Sequence, residues 1–268
     1  MKILSGSELV GYIKERQAKQ VRNLRQSHKI FPKLAIITTT DNPVITTYVN
    51  LKRRYGEDIL IDTEVHEVTM EQISEAITKL NNNNDIHGII VQLPLADETR
   101  TDEILRQIAS EKDVDGLGGD EVFIPATALA IQWLLAGYNI ELENKKLLIV
   151  GNGRLVGAPL ARLWQRSGLA PTIADINTPD LAAETKLADI IVTATGVPGL
   201  IKSDMIKPET VLVDAGTASE NGKLVGDLAP DIRERDDLTM TPEKGGVGPL
   251  TIAALFDNVI QAARQRIS

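Results

Sequence analysis

Residues 147–164 read LLIVGNGRLVGAPLARLW: an apolar run, a break at Gly151-Asn152-Gly153, and a return to helical spacing. A strand that ends in Gly-x-Gly and enters a helix directly gathers free backbone N–H groups and the positive end of the helix dipole at one point. That arrangement suits a pyrophosphate. Gly153 and Gly157 would allow close backbone approach and close packing of the helix on the strand. The spacing is Gly-x-Gly-x-x-x-Gly, which departs from the usual dinucleotide fingerprint, and a tight turn that binds nothing would read much the same. Asp175 closes the next apolar stretch, 24 positions after Gly151 (175 − 151), where an acid would accept the hydroxyls of an adenosine ribose. An Asp here can also cap the turn into Asn177-Thr178-Pro179. The strand-turn-helix-strand frame favours the ribose role. A carboxylate accepts from a 2′-hydroxyl and repels a 2′-phosphate, so NAD is expected over NADP.

Composition removes other chemistries. The chain has no cysteine, which excludes disulfides, thiolate nucleophiles and zinc–cysteine sites. His28, His66 and His87 stand far apart without metal-ligand spacing and are expected to be ordinary surface or turn residues, so no metal is expected. The formal charge of −8 argues against nucleic acid or an anionic membrane as partner, since such surfaces need clustered Lys and Arg. The one dense basic run, Lys52-Arg53-Arg54, is too short to overturn that. No run approaches the roughly 18 apolar residues of a membrane helix. The N-terminal MKILSGSELVGYIKERQ lacks the long apolar stretch of a secretory signal, so a cytoplasmic location is expected.

The elements that must position these groups alternate. A chain of 268 residues, 43% of them hydrophobic, is long for one core and comfortable for two. Helical spacing covers Ser7 to Gln26, Val44 to Tyr55 (behind Asn42-Pro43) and Met70 to Asn82. Between them Lys33 to Thr39, Ile59 to Val68 and Ile86 to Leu93 read as strands, the last stopped by Pro94. Asp113 to Asp120 (DVDGLGGD) reads as a hinge or cleft-lining loop, and Pro125 to Leu135 as a helix. A second series follows: strand Lys146 to Val150, helix Leu155 to Ser167, then strands Pro171 to Ile176, Asp189 to Ala194 and Val211 to Asp214. A glycine-rich turn, Gly245 to Pro249, precedes a last helix to Arg264. Such alternation implies an α/β fold of two lobes with mostly parallel sheets.

Seven segments stand in a recognisable order: YVNLKRR (Tyr48 to Arg54), GIIVQLPL (Gly88 to Leu95), KDVDGL (Lys112 to Leu117), IVGNGRLVGAP, TGVPGLI (Thr195 to Ile201), VLVDAGT (Val211 to Thr217) and GGVGPLT (Gly245 to Thr251). Together they resemble the bifunctional methylenetetrahydrofolate dehydrogenase/cyclohydrolase family, over nearly the whole chain. The resemblance implies an N-terminal α/β catalytic domain and a Rossmann-type nucleotide-binding domain with a cleft between them for the folate. The division expected is residues 1–120 with 250–268 for the first and 121–249 for the second. It implies oxidation of methylenetetrahydrofolate by hydride transfer to NAD or NADP, then hydrolysis of the methenyl product to formyltetrahydrofolate. It also implies a homodimer, with one-carbon metabolism and purine biosynthesis as the setting. No metal is needed, because the substrate already carries an electrophilic carbon and the nicotinamide takes the hydride.

By motif, Lys52 resembles the lysine of the hydrolytic step, Tyr48 the tyrosine packed beside the folate, Gln92 the glutamine bonded to that lysine, and Asp115 the aspartate that binds the pterin-like ring. Folate contacts are further implied at Gly246 and Pro249. Cofactor contacts are implied at Gly151, Asn152, Gly153, Arg154, Gly157, Asp175, Thr195 and Gly196. Elementary chemistry agrees. Residues four apart share a helix face, which suits Tyr48 and Lys52. A lysine moves protons near pH 7 only if part of it is neutral, and burial together with the charges of Arg53 and Arg54 is expected to push it that way. Gln92 falls where a buried strand runs out, a usual place for ligand groups in parallel sheets. The blander roles are a solvated helix lysine, a glutamine paired with backbone, and Asp113 and Asp115 as turn formers.

Several positions depart from the family pattern. Ile45 stands where a serine is usual, and Pro125-Ala126-Thr127-Ala128 replaces Pro-Cys-Thr-Pro. Gly151-Asn152-Gly153 lacks an arginine for a 2′-phosphate, and Ile176-Asn177-Thr178 replaces a polar His-Ser pair. Pro242-Glu243-Lys244 precedes the glycine pair where Pro-Val-Pro is usual. Lys52, Tyr48, Gln92 and Asp115 are all kept. Two rivals share the scaffold: a dehydrogenase without the hydrolytic step, and a folate- or nucleotide-binding protein without catalysis.

Overall fold

Short runs of Val, Ile and Leu that are apolar on every residue make strands covered on both faces, and such strands pair in parallel between helices. The computed structural model describes residues 2–120, 122–220 and 223–267. The first half of the chain forms β1 (Lys2–Ile3), α1 (Gly6–Ser27), β2 (Lys33–Thr38), α2 (Pro43–Asp58), β3 (Asp62–Glu67), α3 (Ile73–Asn81), β4 (Gly88–Val91) and α4 (Thr101–Leu105). The second half begins with α5 (Ala126–Gly137), β5 (Leu147–Val150), α6 (Gly157–Arg166), β6 (Thr172–Ala174), α7 (Leu181–Leu187) and β7 (Ile190–Thr193). It ends with β8 (Val211–Asp214), β9 (Ala218–Glu220), β10 (Lys223–Val225), β11 (Thr239–Met240) and α8 (Val247–Arg264). Among the described residues no helix is long and apolar enough to cross a membrane.

Two compact units result, Met1–Val10 with Thr127–Thr251, and Gly11–Ala126 with Ile252–Ser268. The unit that begins at Gly11 holds a three-stranded parallel sheet, β3-β2-β4, with Leu34 opposite Gly88 and Ala35 opposite Glu64. Its core joins Ala35 and Ile37 of β2 to Ile89 and Val91 of β4, and to the Ile73, Ile77 and Leu80 stripe of α3. The other unit holds a six-stranded parallel sheet in the order β1-β11-β8-β7-β5-β6, with the antiparallel pair β9–β10 beside it. Leu148, Val150, Ile191 and Leu212 form the middle of its core.

The expected division needs two corrections. Residues 1–10 belong with the six-stranded unit, because Lys2 and Ile3 pair with Thr239 and Met240 as its edge strand. A two-residue strand has no period to read. The crossing near 120 falls instead at Ala126, since the Asn258 side chain of α8 donates to Val114 O (2.8 Å) and Ile124 O (2.9 Å) and ties that segment to the Gly11 unit. The strand expected from Ile59 starts only at Asp62. Leu60 takes a positive φ of 65°, and the Ile61 N–H bonds back to Gly56 O, so residues 59–61 close α2.

His87 is not a surface residue. It is 7% exposed, its Nδ1 has no hydrogen-bond partner among the described residues, and burial with the nearby Arg266 charge pushes its pKa down to about 4. Close by, Lys112 is only 1% exposed. Its Nζ donates to the carbonyls of Leu80 (2.9 Å), Asn81 (2.7 Å) and Asn83 (2.7 Å), and so supplies donors to the C-terminal end of α3.

Candidate active site

Pro43 opens α2, and Ile45, Val49 and Tyr55 bury one stripe of it. The Ile45 that replaces the usual serine is therefore a core residue, 5% exposed. Tyr48 and Lys52 lie one turn apart and are both half-buried. Gln92 follows β4 directly, and its backbone N–H donates to Ile37 O at 2.8 Å. The Lys52 Nζ donates to Gln92 Oε1 at 2.7 Å, and the Gln92 Nε2 donates to Leu93 O at 3.1 Å. Burial lowers the Lys52 pKa, and the Asp115 carboxylate opposes that fall. The expected help from Arg53 and Arg54 is absent. Both are exposed, and the lowering comes from desolvation.

The KDVDGL segment places its two acids differently. Asp113 is 6% exposed, its Oδ2 accepts from the Gly118 N–H at 2.7 Å, and burial pushes its pKa up to about 6. It is the turn former. Gly116 takes φ +69°, and a Cβ there would stand 2.7 Å from Phe123 O, so the loop requires glycine at this point. Asp115 is half-buried and faces the Lys52 charge, which lowers its pKa against the larger upward push of burial. Lys52, Gln92 and Asp115 thus form one group in the Gly11 unit, with Tyr48 on the lysine's helix.

In the other unit the 151–157 turn joins β5 to α6. Gly151 has φ +103°, and a Cβ would lie 2.6 Å from Ala194 O. A Cβ on Gly157 would lie 1.8 Å from Gly151 O. Gly153 differs: a Cβ there would meet nothing within 4 Å. Asn152, Gly153 and Arg154 are exposed in the turn that leads into α6. The Gly151 N–H donates to Ala174 O at 2.7 Å, which sets Asp175, just past β6, beside the turn. Asp175 is exposed, and its Oδ1 accepts from the Asn177 N–H at 2.8 Å, so one oxygen does cap the local turn. Thr195 packs against Gly151, and its N–H donates to Asp227 at 2.7 Å. Gly196 takes φ +69°.

Gly246 and Pro249 fall in this unit too. The Gly245-Gly246 turn closes on the start of α1: Ser7 N–H donates to Gly245 O at 3.0 Å, and a Cβ on Gly6 would lie 1.9 Å from Gly246 O. Glu243 and Lys244, the charged departures, are both exposed. Among the described residues no group of three His, Asp or Glu could hold a metal ion. Sequence reasoning passed over Lys112, Asp214, Asp227 and Asn258. Their one signal was being polar within or beside apolar segments.

A six-stranded parallel sheet with a glycine turn between β5 and α6 defines a doubly wound, dinucleotide-binding class of protein. Residues 4–115 match the family "Tetrahydrofolate dehydrogenase/cyclohydrolase, catalytic domain", and residues 125–267 match "Tetrahydrofolate dehydrogenase/cyclohydrolase, NAD(P)-binding domain". The chain belongs to the tetrahydrofolate dehydrogenase/cyclohydrolase family and is an enzyme of that family. It is 39% identical over 279 residues to the bifunctional protein FolD of a Nitratiruptor species, covering 99% of each chain. The crystal structure of the bifunctional enzyme FolD from Campylobacter jejuni superposes with a TM-score of 0.93 at 36% identity, covering 99% of both chains. The Trypanosoma brucei FolD complexed with NADP cofactor and inhibitor gives a TM-score of 0.91 at 29% identity, with 98% of this chain and 97% of that one covered.

Proposed function

We propose that this chain oxidises methylenetetrahydrofolate with a nicotinamide dinucleotide, NAD by preference, and hydrolyses the methenyl product to formyltetrahydrofolate. The observation that carries the reading is the Lys52–Gln92 bond of 2.7 Å, made by a lysine that burial shifts toward its neutral form beside Asp115. A neutral amine held in place can accept the proton that water loses as it bonds to the methenyl carbon. The resulting ammonium can return a proton to the ring nitrogen when the carbon–nitrogen bond breaks. One proton leaves overall, which balances the loss of the cationic charge. The Asp115 carboxylate accepts from ring N–H and amino groups, and the Tyr48 ring covers the folate.

The residues present fit a dinucleotide. The backbone at Gly153 is open where any side chain would intrude, and the N-terminus of the ten-residue α6 stands behind it. When bound, the nicotinamide accepts the hydride. Gly151 to Gly157 would hold the pyrophosphate, with Thr195 and Gly196 further along the sheet edge. Asp175 has one oxygen in its turn bond and leaves Oδ2 for a ribose hydroxyl, which supports NAD. Gly246 and Pro249 are assigned to the folate by motif alone. A homodimer is inferred from the family resemblance, and a cytoplasmic location from the N-terminal segment read above.

The test is a spectrophotometric assay with methylenetetrahydrofolate and each nicotinamide in turn, following reduced cofactor and methenyl compound together. Reduced cofactor with a transient methenyl signal is expected. A methenyl signal that persists would leave a dehydrogenase only, and no turnover with either cofactor would leave a binding protein.

A further inference from the structure

The unit that carries the glycine turn buries two carboxylates that the reaction does not use. Asp227 is 0% exposed, and the side chain of Asp214 is buried as well. Asp214 closes β8. Its Oδ1 accepts from the N–H groups of Gly216 and Asp227 and from Thr193 Oγ1, each at 3.1 Å. Its Oδ2 accepts from the Leu228 N–H at 3.2 Å, with the Arg233 guanidinium 3.9 Å away. Asp227 Oδ2 accepts from the Thr195 N–H at 2.7 Å, while its Oδ1 is buried with no hydrogen-bond partner among the described residues.

The two acids interlock through two glycines. A Cβ on Gly226 would lie 2.0 Å from Asp214 Oδ2, and a Cβ on Gly216 would lie 2.1 Å from Asp227 Oδ1. Each carboxylate therefore rests on a glycine of the segment that carries the other. The result joins two turns at one end of the sheet: Thr195-Gly196 after β7, and the residues from Ala215 to Thr217 after β8. A Cβ on Gly196 would stand 3.5 Å from Thr217 O, so the two turns are neighbours.

Strand order says what those turns face. In β8-β7-β5-β6 the glycine turn follows β5 and Asp175 follows β6. A dinucleotide with its pyrophosphate at the first and its adenosine ribose at the second must lay its other half across the ends of β7 and β8. We propose that Asp227 is a positioning residue for the dinucleotide, clamping the Thr195 turn to the Gly216 turn and so setting the surface on which the nicotinamide half rests. The inference rests on the cofactor reading above. Loss of the carboxylate leaves the Thr195 N–H without its acceptor and opens space over Gly216, so the two turns lose their fixed separation.

Titration of the whole chain with NADH and NADPH, followed by cofactor fluorescence, reads this directly. Circular dichroism and a cooperative urea transition of the whole chain report whether a variant is folded, because the hydrolytic residues lie in the other unit. Asp227→Ala is expected to raise the dissociation constant about tenfold or more while the circular dichroism and the cooperative urea transition are kept. Asp227→Asn keeps an acceptor for Thr195 and is expected to stay within about threefold of the unaltered chain. Should Asp227→Ala fail to fold, Gly216→Ala replaces it, since its methyl group would displace Asp227 Oδ1; the same tenfold loss is expected. Unchanged binding in the alanine variants, or an Asn variant as impaired as they are, overturns the assignment. An unaltered chain that takes up neither dinucleotide refutes the cofactor reading and this inference together. If the unaltered chain binds and the variants bind equally, only this inference falls.

Discussion

Gln92 presents its carbonyl oxygen to Lys52, because its amide nitrogen is held by Leu93 O at 3.1 Å. A neutral acceptor bonds the amine in either charge state. It fixes the position of Nζ without forcing a proton onto it, and burial is left to lower the pKa.

Gln92→Glu tests that arrangement. A carboxylate at the same distance favours the ammonium form and raises the Lys52 pKa. Hydrolysis near pH 7 is expected to fall about tenfold or more, and its rising limb to move up by about one pH unit or more. The pH–rate profile of the hydrolytic step checks this. A rate loss with an unmoved profile would mean that Gln92 only positions the lysine.

Asp175→Ser addresses cofactor choice. Serine can keep a side-chain bond to the turn in place of the one to the Asn177 N–H, so the local fold should hold. With the repulsive charge gone, the ratio of kcat/KM for NAD to that for NADP is expected to drop about tenfold. Steady-state kinetics with both cofactors decide it, and an unchanged ratio removes Asp175 from the ribose role.

Asp113 sets a pH dependence of stability. Its carboxyl holds a proton in the folded chain up to about pH 6, against an ordinary value of 3.8, because it is buried. Between those values the folded state binds more protons than the unfolded one, so this group's contribution to stability falls as pH rises through that window and is level above it. The slope reaches at most about 1.4 kcal/mol per pH unit. Asp113→Asn should flatten it. Urea unfolding of both proteins at pH 4, 5, 6 and 7 reads the difference, and parallel curves would show that Asp113 does not titrate there.

Lys112→Met is expected to cost about 2 kcal/mol, since the carbonyls of Leu80, Asn81 and Asn83 lose a buried donor. The urea midpoint should move down accordingly. Hydrolysis should also weaken, because Lys112 leads directly into the Asp113–Asp115 loop. A variant as stable as the parent would leave the lysine without this role.

Those predictions divide between residues the sequence exposes and residues it hides. Tyr48, Lys52, Gln92 and Asp115 sit in ordered motifs, and the alternation of apolar runs located every strand of four residues or more. Lys112 and Asp227 were hidden for one reason: a charged side chain becomes a core residue only through partners distant in sequence. For Lys112 those partners lie about thirty positions away at the end of α3. Asp113, by contrast, bonds to Gly118 five positions on and was legible as a turn former. β1 and β11 were hidden because a pair of residues carries no period. His87 was misread as a surface or turn residue, since nothing in one sequence marks which histidine a sheet will cover.

The three glycines of the 151–157 turn answer to different masters. Gly151 and Gly157 are demanded by the chain itself, where a methyl group would strike backbone at 2.6 Å and 1.8 Å. Gly153 has open space around it, so the folded protein alone would tolerate alanine there. Alanine at 153 would then act as a covalently attached competitive inhibitor: a permanent partial occupant of the phosphate site, invisible to a melting curve and visible only when a dinucleotide arrives.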